Sequence, residues 1–208
     1  MDGTLVDSDA VVERLWREWA AEHGFDGDEV LRVTHGRQPH ASMALLVPGR
    51  AAAENQADER RLLARELADV DGVVAVPGAL ALLAALRELG SPHALVTSAS
   101  AALARVRMAA AGLPLPPVLV TSDRVTASKP DPEGFLVAAG ALACAPADCI
   151  AFEDSAAGIA AGIAAGMRVI GVGRRAAGSA TVASVDSLER VRVEAAAGGL
   201  VVRVTRGA

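Results

Sequence analysis

Four short stretches of this sequence carry residue types that can do chemistry, and they lie far apart in the chain. Met1-Asp2-Gly3-Thr4 joins a carboxylate, a turn-forming glycine and a hydroxyl, followed by apolar Leu5-Val6. Thr97 and Ser98 form a hydroxyl pair after the apolar run Leu95-Val96. Lys129 precedes Pro130, and Glu153-Asp154 follows Phe152. Carboxylates suit a hard oxygen-seeking cation such as Mg²⁺. A lone ammonium with hydroxyls suits a phosphoryl group. Both signs of charge in one place would serve phosphoryl transfer with a metal. The chain holds 20 Lys and Arg residues, and Lys129 is the sole lysine among them. A sequence that otherwise uses only Arg keeps Lys where a compact charge on a flexible stem is needed.

Each stretch by itself is an ordinary turn or helix cap. Their meaning comes from the elements that must position them. From residue 73 the pattern alternates strand and helix. Residues 93–97, 118–121, 149–152 and 168–172 read as strands, and the segments between them carry helical periodicity. Such alternation predicts a Rossmann-like parallel sheet with helices on both faces, an α/β fold. Ligands of an open parallel sheet sit beyond the carboxyl ends of its strands. Thr97 and Glu153-Asp154 fall directly at such ends, Lys129 lies in the loop after residues 118–121, and the loop holding Asp2 is expected to follow a strand. Val191–Glu194 and Leu200–Val204 flank Gly198-Gly199 and predict a terminal hairpin.

Residues 10–72 read differently. A helix is expected over 7–24, with Val11, Leu15, Trp16 and Trp19 on one face and Gly24 as its stop. Shorter helices follow over 28–33 and 41–46. A long amphipathic one covers 51–70, with Leu62, Leu63, Leu67 and Val70 facing inward. Between them lies the polar run His35-Gly36-Arg37-Gln38. The division expected is an α/β core from 1–9 and 73–208, with a helical cap from 10–72 inserted after the first strand.

Composition narrows the function classes. At 208 residues and 52% hydrophobic the chain is globular, with room for a domain and an insert. A net charge of −5 and the absence of any basic stripe argue against nucleic acid. No apolar run is long enough to span a membrane, and the acidic start does not resemble a signal peptide. Cys144 and Cys149 form neither a disulfide framework nor a CxxC metal pair. A cytoplasmic monomer acting on a small molecule is the expectation.

The four stretches together resemble the haloacid dehalogenase-like hydrolase superfamily, in its helical-cap branch. The likeness is to sugar-phosphate and polyol-phosphate phosphatases and to β-phosphoglucomutase. Residues 1–8 match the first motif, Asp-x-Asp-Gly-Thr-Leu-x-Asp-Ser, from its second position. Leu95 to Ser98 match the second motif, Ser128 to Pro132 the third, and Phe152 through Met167 the fourth. The resemblance implies hydrolysis of a small phosphorylated metabolite with Mg²⁺ through an aspartyl-phosphate. Asp2 would then be the general acid and base, its carbonyl also meeting the metal. Thr97, Ser98 and Lys129 would hold the phosphoryl group, and Glu153 and Asp154 would bind Mg²⁺. His35, Gly36, Arg37 and Gln38 would face the substrate from the cap. A phosphomutase and a non-catalytic phosphometabolite-binding protein are the alternatives. A dehalogenase does not need Asp2. An imine-forming phosphonatase needs a cap lysine, and residues 10–72 contain none.

The likeness is incomplete at one point. The family's nucleophilic aspartate would fall immediately before Met1, at the end of the first core strand, and neither is in the sequence. We expect Met1 to be the variable residue of Asp-Met-Asp-Gly-Thr in a longer reading frame. The sheet should then show unpaired strand edges, and residues 1–208 alone should have little phosphatase activity.

Overall fold

The computed structural model describes residues 1–34 and 39–205. The chain divides into two compact units, Met1–Asp7 with Val74–Ala208, and Ser8–Val73.

The first unit is α/β. Two short strands, β1 (Val6–Asp7) and β2 (Val74–Ala75), pair antiparallel where the chain leaves this unit and returns to it. After α5 (Ala79–Glu88), β3 (Ala94–Val96) runs parallel to β4 (Val118–Val120), with α6 (Ala101–Ala110) between them in sequence. Then α7 (Glu133–Ala141) leads to β5 (Ile150–Glu153), α8 (Ala156–Ala164) and β6 (Arg168–Val172). A third parallel strand, β7 (Ala183–Val185), joins β6. The terminal hairpin is β8 (Val191–Ala196) with β9 (Gly199–Val204).

The parallel strands are therefore not one sheet among the described residues. They form a pair, β3-β4, and a triplet, β5-β6-β7. β3 is hydrogen-bonded on one side by β4, and β5 on one side by β6. Helices bridge the two. Phe135 of α7 and Ile159 and Ala161 of α8 form a core with Ala151 of β5 and Val169 of β6, and Val96 of β3 packs against it. Small residues make this packing possible. A Cβ on Gly162 would come within 2.8 Å of the Val169 side chain. β7 was not anticipated: its three residues are too short for an alternating signal.

The second unit is helical: α1 (Asp9–His23), α2 (Gly27–Thr34), α3 (Pro39–Leu46) and α4 (Ala52–Ala68). Val11, Leu15, Trp16 and Trp19 are buried on α1, and Gly24 stops it in the left-handed region. α4 departs from its sequence pattern. Its buried face carries Asn55, Asp58 and Leu62, while Leu63 and Leu67 are half-buried and Val70 is exposed. The reason is a buried carboxylate. Asp58 accepts from Trp19 Nε1 (3.0 Å), from Arg50 Nη1 (2.6 Å) and from Arg61, with His23 Nε2 at 3.2 Å. Burial alone would raise its pKa, but hydrogen bonds from Arg50, Trp19 and Arg61 hold it well below the usual carboxylate range. No described helix is long and apolar enough to cross a membrane.

Candidate active site

The loop Met1–Leu5 is wound tightly enough to fix its side chains. The Met1 carbonyl accepts from the amides of Thr4 (3.1 Å), Leu5 (2.8 Å) and Val6 (3.2 Å), and the Gly3 amide returns to Val6 O (2.8 Å). Gly3 has φ +71°, which glycine adopts without strain. A Cβ there would also lie 2.0 Å from Asp154 Oδ2. The loop and the end of β5 thus press together at a glycine.

Asp154 is 8% exposed. Its Oδ1 accepts from the Thr4 hydroxyl (3.1 Å), and its Oδ2 lies 3.3 Å from Arg175 Nη2. Burial pushes its carboxyl above the ordinary range, and neighbouring Glu153 adds to the rise. The Met1 ammonium, Arg175 and the Thr4 hydroxyl oppose it. Glu153, 4% exposed, points elsewhere: it pairs with Lys129 Nζ and takes the Ser155 hydroxyl at 3.3 Å. Alternation along a strand separates adjacent side chains in this way. α8 can approach Glu153 because residue 158 is glycine, where a Cβ would sit 2.0 Å from Glu153 Oε2.

Lys129 also lies over the Phe135 ring, 5.1 Å from its centroid. Its loop is held from behind. Glu133 accepts from the amides of Thr126 (2.9 Å) and Ala127 (2.7 Å), which lowers its pKa. Thr97 is buried at the end of β3. Its amide donates to Val120 O (2.9 Å), and its Oγ1 accepts from the Ala99 amide (3.1 Å). Thr97, Ser98 and Lys129 line one small cavity of about 20 Å³, with Ser122 and Ser128. That is room for about one water.

Asp2 meets a partner that sequence reasoning missed. Arg107 of α6 reaches it with Nη1–Oδ1 at 3.0 Å, although Arg107 is only 4% exposed. A signal existed: Arg107 shares a helical face with Leu103, Ala104 and Met108, all buried. A charge on an apolar face asks for a buried counter-ion. Asp123 was also passed over. It accepts the Ala101 amide at 2.7 Å and so fixes the start of α6 beside Thr97.

Thr97, Ser98 and Lys129 are thus brought together, Glu153 joins them through Lys129, and Asp154 lies against the Gly3-Thr4 turn. Among the described residues no three carboxylate, His or Cys side chains gather at one point. His35, Gly36, Arg37 and Gln38 lie outside the described residues.

Comparison with known proteins decides the family, because residues 1–166 match the haloacid dehalogenase-like hydrolases. The chain belongs to that family. The hydrolase is 45% identical to hexitol phosphatase A of Escherichia coli (strain K12) over 172 residues, 83% of this chain and 80% of that one. It is 31% identical to the fructose-1-phosphate phosphatase YqaB of the same organism, over 83% of this chain and 93% of that protein. Among solved structures, CbbY from Rhodobacter sphaeroides in complex with phosphate superposes with a TM-score of 0.74. It is 24% identical and covers 90% of this hydrolase and 92% of its own chain, a likeness of fold.

Proposed function

We propose that this hydrolase releases inorganic phosphate from a small sugar or polyol phosphate, with Mg²⁺, through an aspartyl-phosphate. The observation that carries the reading is the convergence of Thr97, Ser98 and Lys129 at the ends of β3 and β4. The similarity to hexitol phosphatase A supports the substrate class.

The roles follow from chemistry. Thr97 and Ser98 hold phosphoryl oxygens, and Lys129 offsets the charge that grows on them. Asp2 gives a proton to the leaving alcohol and takes one from the attacking water. Arg107 holds the Asp2 carboxylate in place. The donors available to a metal are all oxygens, from Asp154 and from Asp2, whose neighbour Gly3 lets the loop lie directly against Asp154. That set fits Mg²⁺. Bound there, the ion would supply further charge neutralisation at the phosphoryl group.

The reading also assigns a strand ending in the nucleophilic aspartate to the space between β3 and β5. Its support is that, among the described residues, each of these strands is paired on one side only, while common helices cover both. We infer that such a strand is encoded upstream of Met1, and that residues 1–208 alone turn over little substrate.

The test is phosphate release from a panel of hexitol and ketose phosphates. It compares residues 1–208 with a chain extended to the next upstream start in frame. The extended chain should release phosphate and the shorter one should be at least 100-fold slower. An isomerised sugar phosphate in place of free phosphate would make the protein a mutase. Equal activity of both chains would remove the missing strand from the proposal.

A further inference from the structure

We propose that Arg175 is the resident counter-ion of Asp154, and that a divalent cation binds this carboxylate by displacing it. The inference rests on the assignment of Asp154 as a metal ligand made above.

A carboxylate as buried as Asp154 needs compensation. One oxygen has the Thr4 hydroxyl, and the other faces the Arg175 guanidinium at 3.3 Å. That guanidinium fills the space over the Gly3 turn, since a Cβ on Gly3 would come within 2.7 Å of its Nη2. It therefore stands on the side of Asp154 that faces the catalytic loop.

The backbone beneath it is fixed. Arg175 belongs to a single 3-10 turn, Arg174–Ala176, directly after β6. Ala176 is fully buried, and a Cβ on Gly171 would lie 2.8 Å from the Ala176 methyl. The side chain reaches solvent: 42% of it is exposed. An arginine can swing its head group into solvent from such an anchor without moving the chain. A Mg²⁺ ion needs its oxygen ligands at about 2.0–2.1 Å. An ion that close to Asp154 Oδ2 would crowd the guanidinium and repel it. The two cations are alternatives for one carboxylate. The arrangement keeps the metal-free site neutralised and lowers metal affinity by the worth of the ion pair.

The test is calorimetric titration with Mg²⁺ alone, on the wild-type chain and on Arg175→Ala, Arg175→Lys and Asp154→Asn. Far-UV circular dichroism confirms that each is folded, and Arg175→Gln stands in if the alanine variant is not. A half-exposed ion pair is worth up to about five-fold in a binding constant. Arg175→Ala should therefore bind Mg²⁺ roughly five-fold more tightly, Arg175→Lys should lie between it and wild type, and Asp154→Asn should not bind. Equal or weaker binding by Arg175→Ala, with Asp154→Asn still inert, overturns the counter-ion and leaves the metal assignment standing. Unchanged binding by Asp154→Asn, or no binding by any variant, removes the metal assignment and the counter-ion with it.

Discussion

Lys129 and Glu153 bind each other more closely than a reading of separate roles implies. Both are largely buried, so each compensates the other's charge. Replacing Lys129 by Met leaves a buried carboxylate without its cation, at a cost of about 3–5 kcal/mol. Lys129→Met with Glu153→Gln should recover most of that stability in urea unfolding. Phosphate release by the extended chain should stay lost in both variants, by about 100-fold or more, because the phosphoryl group still lacks its ammonium. Recovery of activity in the double variant would mean that Lys129 acts only as the counter-ion of Glu153.

At the scale of elements, the close approach of α8 to the end of β5 sets the geometry around Glu153. Gly158→Ala would force a methyl against that carboxylate, so we expect a loss of about 1–3 kcal/mol in urea unfolding. Gly140→Ala on α7 makes the comparison. Nothing lies within 4 Å of its added Cβ, and helix propensity alone should stabilise it by up to about 1 kcal/mol. The alternation from β3 to β6 was legible because apolar runs of strand length alternate with helical periods and glycine or proline stops. Placing Thr97 and Glu153-Asp154 at strand ends, and Lys129 in a loop, followed from it. The partners of the site residues were not legible. Arg107 announces its burial through Leu103, Ala104 and Met108, but nothing local points 105 positions back to Asp2. The same holds for α4, where Asp58 rather than Leu63 or Leu67 turns inward, because two of its donors, Trp19 and Arg50, come from α1 and from the turn before α4.

The two compact units of the molecule can be watched separately. Both tryptophans, Trp16 and Trp19, lie in α1, and the chain has no tyrosine. Intrinsic fluorescence therefore reports the helical unit alone. Asp58 has a pKa depressed below its unfolded value of about 3.9. Its stabilisation is present above that pH and is lost as pH falls towards the folded value. Asp58→Asn should lower the stability of this unit at pH 7 by about 3–5 kcal/mol and flatten its decline below pH 4, both read from tryptophan emission. An unchanged acid transition would show that other carboxylates govern it.

The scarcity of lysine has a practical outcome. Amine-directed acylation of the folded chain has two targets, the α-amine and Lys129. Because Lys129 is engaged by Glu153 and only 15% exposed, it should react slowly. A reagent applied with and without inorganic phosphate then becomes a footprint of a single atom. Protection of Nζ would report occupancy of the proposed phosphate site by mass spectrometry, with no turnover required.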